Sequence, residues 1–235
     1  MKILSLSTAE QGASLAVLDR GSLVCEEYWT NGLTHSKRLM VMVENLLENR
    51  AGITLSQVDG FLAAKGPGSF TGLRIGISMI QGFAYALSKP CAGVSSLDGI
   101  AWRFCYSDLP VCVMMDARRG EVYTSVFRFA RGDLVGKSRE RVCSPEQAFF
   151  EVAGQGAVLF AGSGSKAYQD LILKTFDHLA VFAPEAMDHI SAAALTRPLL
   201  ADAGFFARPE NSLVPSYLRK SDAEINFTRN TSILT

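Results

Sequence analysis

KGPGSFTGLRIGISMIQGFAYAL, residues 65–87, is the stretch on which the reading of this chain turns. Glycines 66, 68 and 72 with Pro67 and Ser69 cannot extend a regular strand, because glycine is conformationally free and proline lacks a main-chain donor. They predict a sharp loop. No further proline follows until Pro90, and at 100° per residue Gly72, Gly76, Met79, Phe83 and Leu87 fall on one helical face. Arg74, Ser78, Gln81 and Tyr85 share a narrower polar arc, so most of this helix wants covering, by a sheet on one side and by another helix or molecule on the other. Glycine inside a helix costs about 0.5–1 kcal/mol relative to alanine, and close approach of a neighbouring backbone is the expected compensation.

The loop of Gly66, Pro67, Gly68, Ser69 and Arg74 admits two readings, a rigid turn that aims the helix or a cradle of N–H groups for an anion. It is not a phosphate-binding P-loop, because Leu73 and Arg74 follow Gly72 where Lys and Ser or Thr are needed. A serine-nucleophile elbow also fails, since Pro67 stands where glycine is required before Ser69.

The whole chain has 235 residues, enough for one globular unit or two closely packed halves. Lys plus Arg and Asp plus Glu both total 23, so no overall positive field draws nucleic acid, and any RNA is expected to be held mainly elsewhere. The first ten residues alternate and turn polar too early for a signal sequence, and no run of eighteen apolar residues predicts a membrane span. Five cysteines without a CxxC pair read as reduced thiols of a cytoplasmic protein.

Before the glycine loop, residues 3–7, 13–18 and 23–29 predict a meander of three strands. Thr34 is a candidate cap for a helix over 35–49 whose apolar face carries His35, Leu39, Met42, Val43 and Leu46. A strand at 58–64, the central helix, a short strand at 90–94 and a helix to about 106 complete a first half. Strands at 111–116, 121–130 and 134–142, a helix from Pro145, a strand at 157–161, a GSGS turn with a helix to about 176, and a helix over 190–203 repeat that order in outline. Such alternation predicts an α/β chain of mixed sheets flanked by helices, in halves 1–108 and 109–225 with a polar tail at 226–235.

GPGSFTGLRIGI at 67–77 with its preceding glycine resembles the signature of the bacterial TsaB (YeaZ) family. THSKRL at 34–39, DARRGEVY at 116–123 and VPSYLR at 214–219 extend the likeness over most of the chain. The resemblance implies duplicated halves of the actin, hexokinase and sugar-kinase type. It also implies a non-catalytic subunit in threonylcarbamoyladenosine biosynthesis, which binds the catalytic subunit TsaD, helps recruit the ATPase TsaE, pairs with a second copy when alone, and meets tRNA only through the complex. The partner surface implied is the helix pair, with His35, Leu39, Met42, Val43, Leu46, Gly72, Gly76, Met79 and Phe83.

Catalytic relatives hold a metal-nucleotide between the halves with a carboxylate on each first hairpin. Asp116 fills that role in the second half, but the first-half position is Ser7, followed by Thr8, and a lone hydroxyl does not replace a carboxylate on a hard cation. Thr8, Asp116, Gly162 and Gly164 are therefore read as a vestigial nucleotide cleft. A helical HxxxH metal pair is also missing, because Leu39 stands four residues after His35. No metal and no cofactor is expected. The competing reading is a stand-alone peptidase-like or nucleotide-dependent enzyme of the same fold, which a complete carboxylate or metal pair would mark.

Overall fold

The computed structural model describes residues 1–30, 35–202 and 204–219, the side chains of 35–37 excepted. The expected tail at 226–235, the Thr34 cap and the side chain of His35 lie outside the described residues. Strands β1 (Lys2–Ser7), β2 (Ala13–Asp19) and β3 (Ser22–Trp29) form the antiparallel meander. Helix α1 (His35–Glu44) continues as a π-helical segment over Asn45–Ala51 and stops at Gly52, whose φ of 64° suits a left-handed cap. Strand β4 (Gly60–Gly66), helix α2 (Phe70–Leu87), strand β5 (Cys91–Ser95) and helix α3 (Ser96–Ala101) follow.

The second half runs β6 (Val111–Arg118), β7 (Glu121–Ala130), β8 (Asp133–Lys137), β9 (Arg141–Cys143), β10 (Val158–Ala161) and β11 (Ala180–Phe182). The first sheet has the order β3-β2-β1-β4-β5, and the second the order β8-β7-β6-β10-β11, with β9 beside β7. In both, a three-stranded meander is extended by two strands parallel to its first strand. The chain is thus two mixed sheets of one topology, flanked by helices, as expected for duplicated halves of the actin, hexokinase and sugar-kinase type.

Two expectations are corrected locally. The strand expected over 134–142 divides, because Ser138 turns inward, its Oγ accepting from the Val126 N–H at 2.9 Å and donating to Glu151 at 2.7 Å. The helix expected over 190–203 is reduced to a 3₁₀ turn at Ala194–Thr196 and one helical turn at Arg197–Leu200. Pro198 is the cause: without an N–H it fits the first turn of a helix but not its interior.

Periodicity explains the packing. Along β1 and β2 nearly every residue is buried, as in strands covered on both faces. Leu39, Val43, Leu46 and Leu47 lay α1 and its continuation over β2 and β3, while Leu73, Ile77, Ile80 and Ala84 seat α2 on the first sheet. The same core runs through α3 to Val111, Val113 and Phe127 of the second sheet. Residues 190–217 then return across the first half, where Gln81 donates to the Leu213 carbonyl at 2.9 Å and the Ser216 N–H to the Lys65 carbonyl at 2.6 Å.

Candidate functional site

Three motifs distant in sequence meet at the glycine loop. Ser69 caps α2, its Oγ accepting from the Gly72 N–H at 3.2 Å, and the Ser69 N–H donates to the Ala9 carbonyl at 2.7 Å. Thr8 Oγ1 donates to the Gly72 carbonyl at 2.7 Å. The Ser69 and Gly72 N–H groups are thus engaged within the chain, in the manner of a turn that aims the helix. Tyr217 stacks on Phe70 with centroids 4.5 Å apart and accepts from Arg74 Nε at 3.1 Å, and Arg74 lies 3.9 Å above the Phe70 ring. Arg219 donates to the Ala117 carbonyl at 2.7 Å and sits 3.4 Å from Glu121. The segment 214–219 therefore ties the glycine loop of the first half to the 116–123 turn of the second.

Gly72 and Gly76 account for their own cost. A Cβ on Gly72 would strike the Thr8 carbonyl and one on Gly76 the Thr8 hydroxyl, so α2 crosses the end of β1 at a distance that only glycine permits. Both residues are buried and face the chain's own sheet. Gly82 differs: it lies exposed within α2, and a Cβ there would meet nothing within 4 Å among the described residues.

The helix pair is divided differently from the expectation, and the correction falls on side chains. Leu39, Val43 and Leu46 are at most 1% exposed and belong to the core, because α1 turns that face onto β2 and β3. With Gly72 and Gly76 they present nothing to a partner in this structure. Met42, Met79 and Phe83 are half-buried at the margin of the core. Outward stand Met40 and Val41 of α1, Val41 being 62% exposed, and Tyr85 of α2, with Ser78, Gly82 and Ala86 on the same exposed side. The two helices touch each other.

Between the halves, Asp116, Gly162 and Gly164 do come together. The Asp116 N–H donates to Ser163 Oγ at 3.2 Å, its Oδ1 accepts from the Arg118 N–H at 2.8 Å, and both glycines pack on the Met114 carbonyl. Thr8 is not among them, being turned to α2. A residue missed in the sequence stands there instead: Glu10 accepts from Ser163 Oγ at 3.2 Å and from the Ile190 N–H at 3.1 Å, joining the halves. The first hairpin thus does carry a carboxylate at the junction, three residues beyond the position examined in the sequence. Burial raises the Glu10 and Asp188 carboxyls, and Asp188 accepts from the Gly162 N–H. Glu26 accepts from Ser191 Oγ at 2.7 Å and the Ala193 N–H at 3.1 Å. Among the described residues no group of three His, Cys, Asp or Glu side chains is placed to hold a metal ion.

His189 closes the same junction. Its ring stacks on Tyr28 with centroids 3.7 Å apart, and Arg103 Nη1 lies 3.0 Å from Nε2. Burial first, then the Arg103 guanidinium, holds its pKa down to about 4. The folded state therefore favours the neutral ring, and this contribution, complete above the ordinary value of 6.5, is lost as pH falls toward 4. The raised carboxyls of Glu10 and Asp188 act with the opposite sign, so the difference between the native chain and His189→Phe reads the histidine. Urea unfolding at intervals from pH 7 to pH 4 should show native stability falling relative to the variant. A constant difference would refute it.

The comparisons place the chain among known proteins. A family model described as TsaD, tRNA N6-adenosine threonylcarbamoyltransferase, matches residues 32–227. The tRNA threonylcarbamoyladenosine biosynthesis protein TsaB of Haemophilus influenzae is 33% identical over 200 residues, covering 80% of this chain and 82% of that protein. TsaB of Bacillus subtilis is 28% identical over 238 residues, covering 97% and 98%. The solved structure of YeaZ from Pseudomonas aeruginosa superposes with a TM-score of 0.73 at 31% identity, covering 92% of this chain and 99% of that one.

Proposed function

The chain belongs to the TsaB family, and from that premise we propose that it is the non-catalytic partner subunit of the cytoplasmic machinery that makes threonylcarbamoyladenosine on tRNA. In this reading it binds a TsaD-type subunit through the outward side of α1 and α2, helps to recruit a TsaE-type ATPase, and pairs with a second copy when alone. The observation that carries the reading is Gly82. A glycine in the interior of a helix, on its exposed side, costs about 1 kcal/mol relative to alanine, and among the described residues nothing approaches it to offset that cost. A partner helix crossing closely at Gly82, flanked along α2 by Ser78, Tyr85 and Ala86, supplies the missing compensation. The shared fold of partner and chain makes a pseudo-symmetric pairing of helices geometrically natural.

A non-catalytic role is supported by the junction between the halves, where Glu10 and Asp188 are engaged by donors of the second half. The subunit would act by binding one partner conformation more tightly than another, which shifts that partner's equilibrium. Gly82→Ala is expected to stabilise the isolated chain by about 0.5–1 kcal/mol in urea unfolding. Gly82→Trp is expected to leave it folded and to weaken pairing at least about tenfold, read by sedimentation. Reconstitution completes the test: tRNA modification by the TsaD-type partner should require this chain and fail with Gly82→Trp. Full modification without the chain would overturn the proposal.

A further inference from the structure

The ends of β4 and β5, the segment after β8 and the returning 205–216 segment line a partly open pocket of about 260 Å³. Four charged side chains reach it: Lys65 and Asp98 from the first half, Lys137 and Glu140 from the second. Lys137 Nζ lies 2.8 Å from Asp98 Oδ2 and 2.8 Å from Glu140 Oε1, so one cation is shared by two carboxylates and bridges the halves. Among the described residues Lys65 has no such carboxylate contact, and its Nζ donates to the main-chain carbonyl of Glu210. Burial lowers its pKa, outweighing the opposing pull of Glu140 and Asp98. Val94, Pro198 and Phe205 supply an apolar wall.

We propose that this cavity binds a small zwitterion of the free amino-acid class, with the ligand carboxylate on Lys65, its ammonium between Asp98 and Glu140, and its side chain against Phe205. The charges favour this class over a simple ion. Two lysines and two acids sum to zero, so a simple anion would satisfy Lys65 but set a surplus negative charge beside Asp98 and Glu140, and a simple cation would do the reverse beside the lysines. A zwitterion satisfies Lys65 and leaves the pocket neutral, which matters because a charge withdrawn from water without a partner is costly. Each carboxylate gives one oxygen to Lys137 and retains acceptor capacity for an ammonium. Size is sufficient: about 260 Å³ accommodates a ligand of amino-acid dimensions.

This site is independent of the helix surface, and its test uses the full chain. In ¹⁵N-resolved spectra titrated with each free L-amino acid, at least one should give saturable shifts at the amides of Gly66, Gly93 and Ser95. Sodium acetate and methylammonium chloride, the two halves of the ligand, should bind about tenfold more weakly or worse. Lys65→Gln and Glu140→Gln, each first shown to keep the native spectrum, should each raise Kd about tenfold. No saturable shift from any amino acid at millimolar concentration would overturn the assignment. Acetate binding as tightly as the best amino acid, or affinity unchanged in both variants, would overturn it equally.

Discussion

Replacing Val43 by glutamate is expected to unfold the chain, whereas the same change at Val41, two residues earlier, should leave it folded and unable to pair. Val43 is 1% exposed, pressed by α1 onto the first sheet, so Val43→Glu forfeits a buried aliphatic side chain and forces a carboxylate into the core. The combined cost is about 3–5 kcal/mol or more, comparable with the whole stability of many domains. Val41 is 62% exposed, and a surface change of that kind ordinarily moves stability by less than about 0.5 kcal/mol. Urea unfolding and sedimentation velocity on both variants give the comparison. A folded Val43→Glu chain would show that the face placed inward is free, and undiminished association of Val41→Glu would show that the outward face is not the partner surface.

Gly72→Ala should be among the most damaging single-methyl changes within a helix of this chain. The added Cβ is directed at the Thr8 main-chain carbonyl, where no rotamer change can relieve the clash, and it disturbs the bond from Thr8 Oγ1 to the Gly72 carbonyl. Overpacking of this type costs about 1–3 kcal/mol, and loss of a buried bond adds about 1 kcal/mol. For a chain of this size the melting temperature should fall by about 5–10 °C. Gly76→Ala offers the matching control, because its new Cβ meets the Thr8 hydroxyl rather than the main chain. Thr8→Ala should therefore rescue Gly76→Ala in part and Gly72→Ala not at all, a double-mutant comparison that separates side-chain from main-chain contact. Equal rescue of both would count against this account of the crossing.

The meander, the glycine turn and the start of α2 were legible locally, because strand alternation, Ser69 as a cap and the glycine-proline cluster act over a few residues. The duplicated order of strands was legible for the same reason. The wheel of α1 identified Leu39, Val43 and Leu46 as an apolar face, and its lengthwise assignment was sound. It did not say whether sheet or partner would cover that face. At the junction Glu10, Tyr28, Arg103 and His189 gave no local signal, since their hydrogen bonds and stacking contact join residues 86 to 180 positions apart. The wheel set Gly82 apart from Gly72 and Gly76 but did not say what any of the three would meet. Only the crossing of α2 over Thr8 explains two of the three and leaves the last open.

Sequence alone determined which segments are strand or helix, which side chains need removal from water, and to which family the motifs belong. Tertiary structure decided what each apolar face meets, which glycines are used within the chain, and where the charges of the two halves converge. The physical reason is one of range: propensity, capping and periodicity are properties of neighbouring residues, whereas burial and electrostatic pairing belong to surfaces that exist only once remote segments have met.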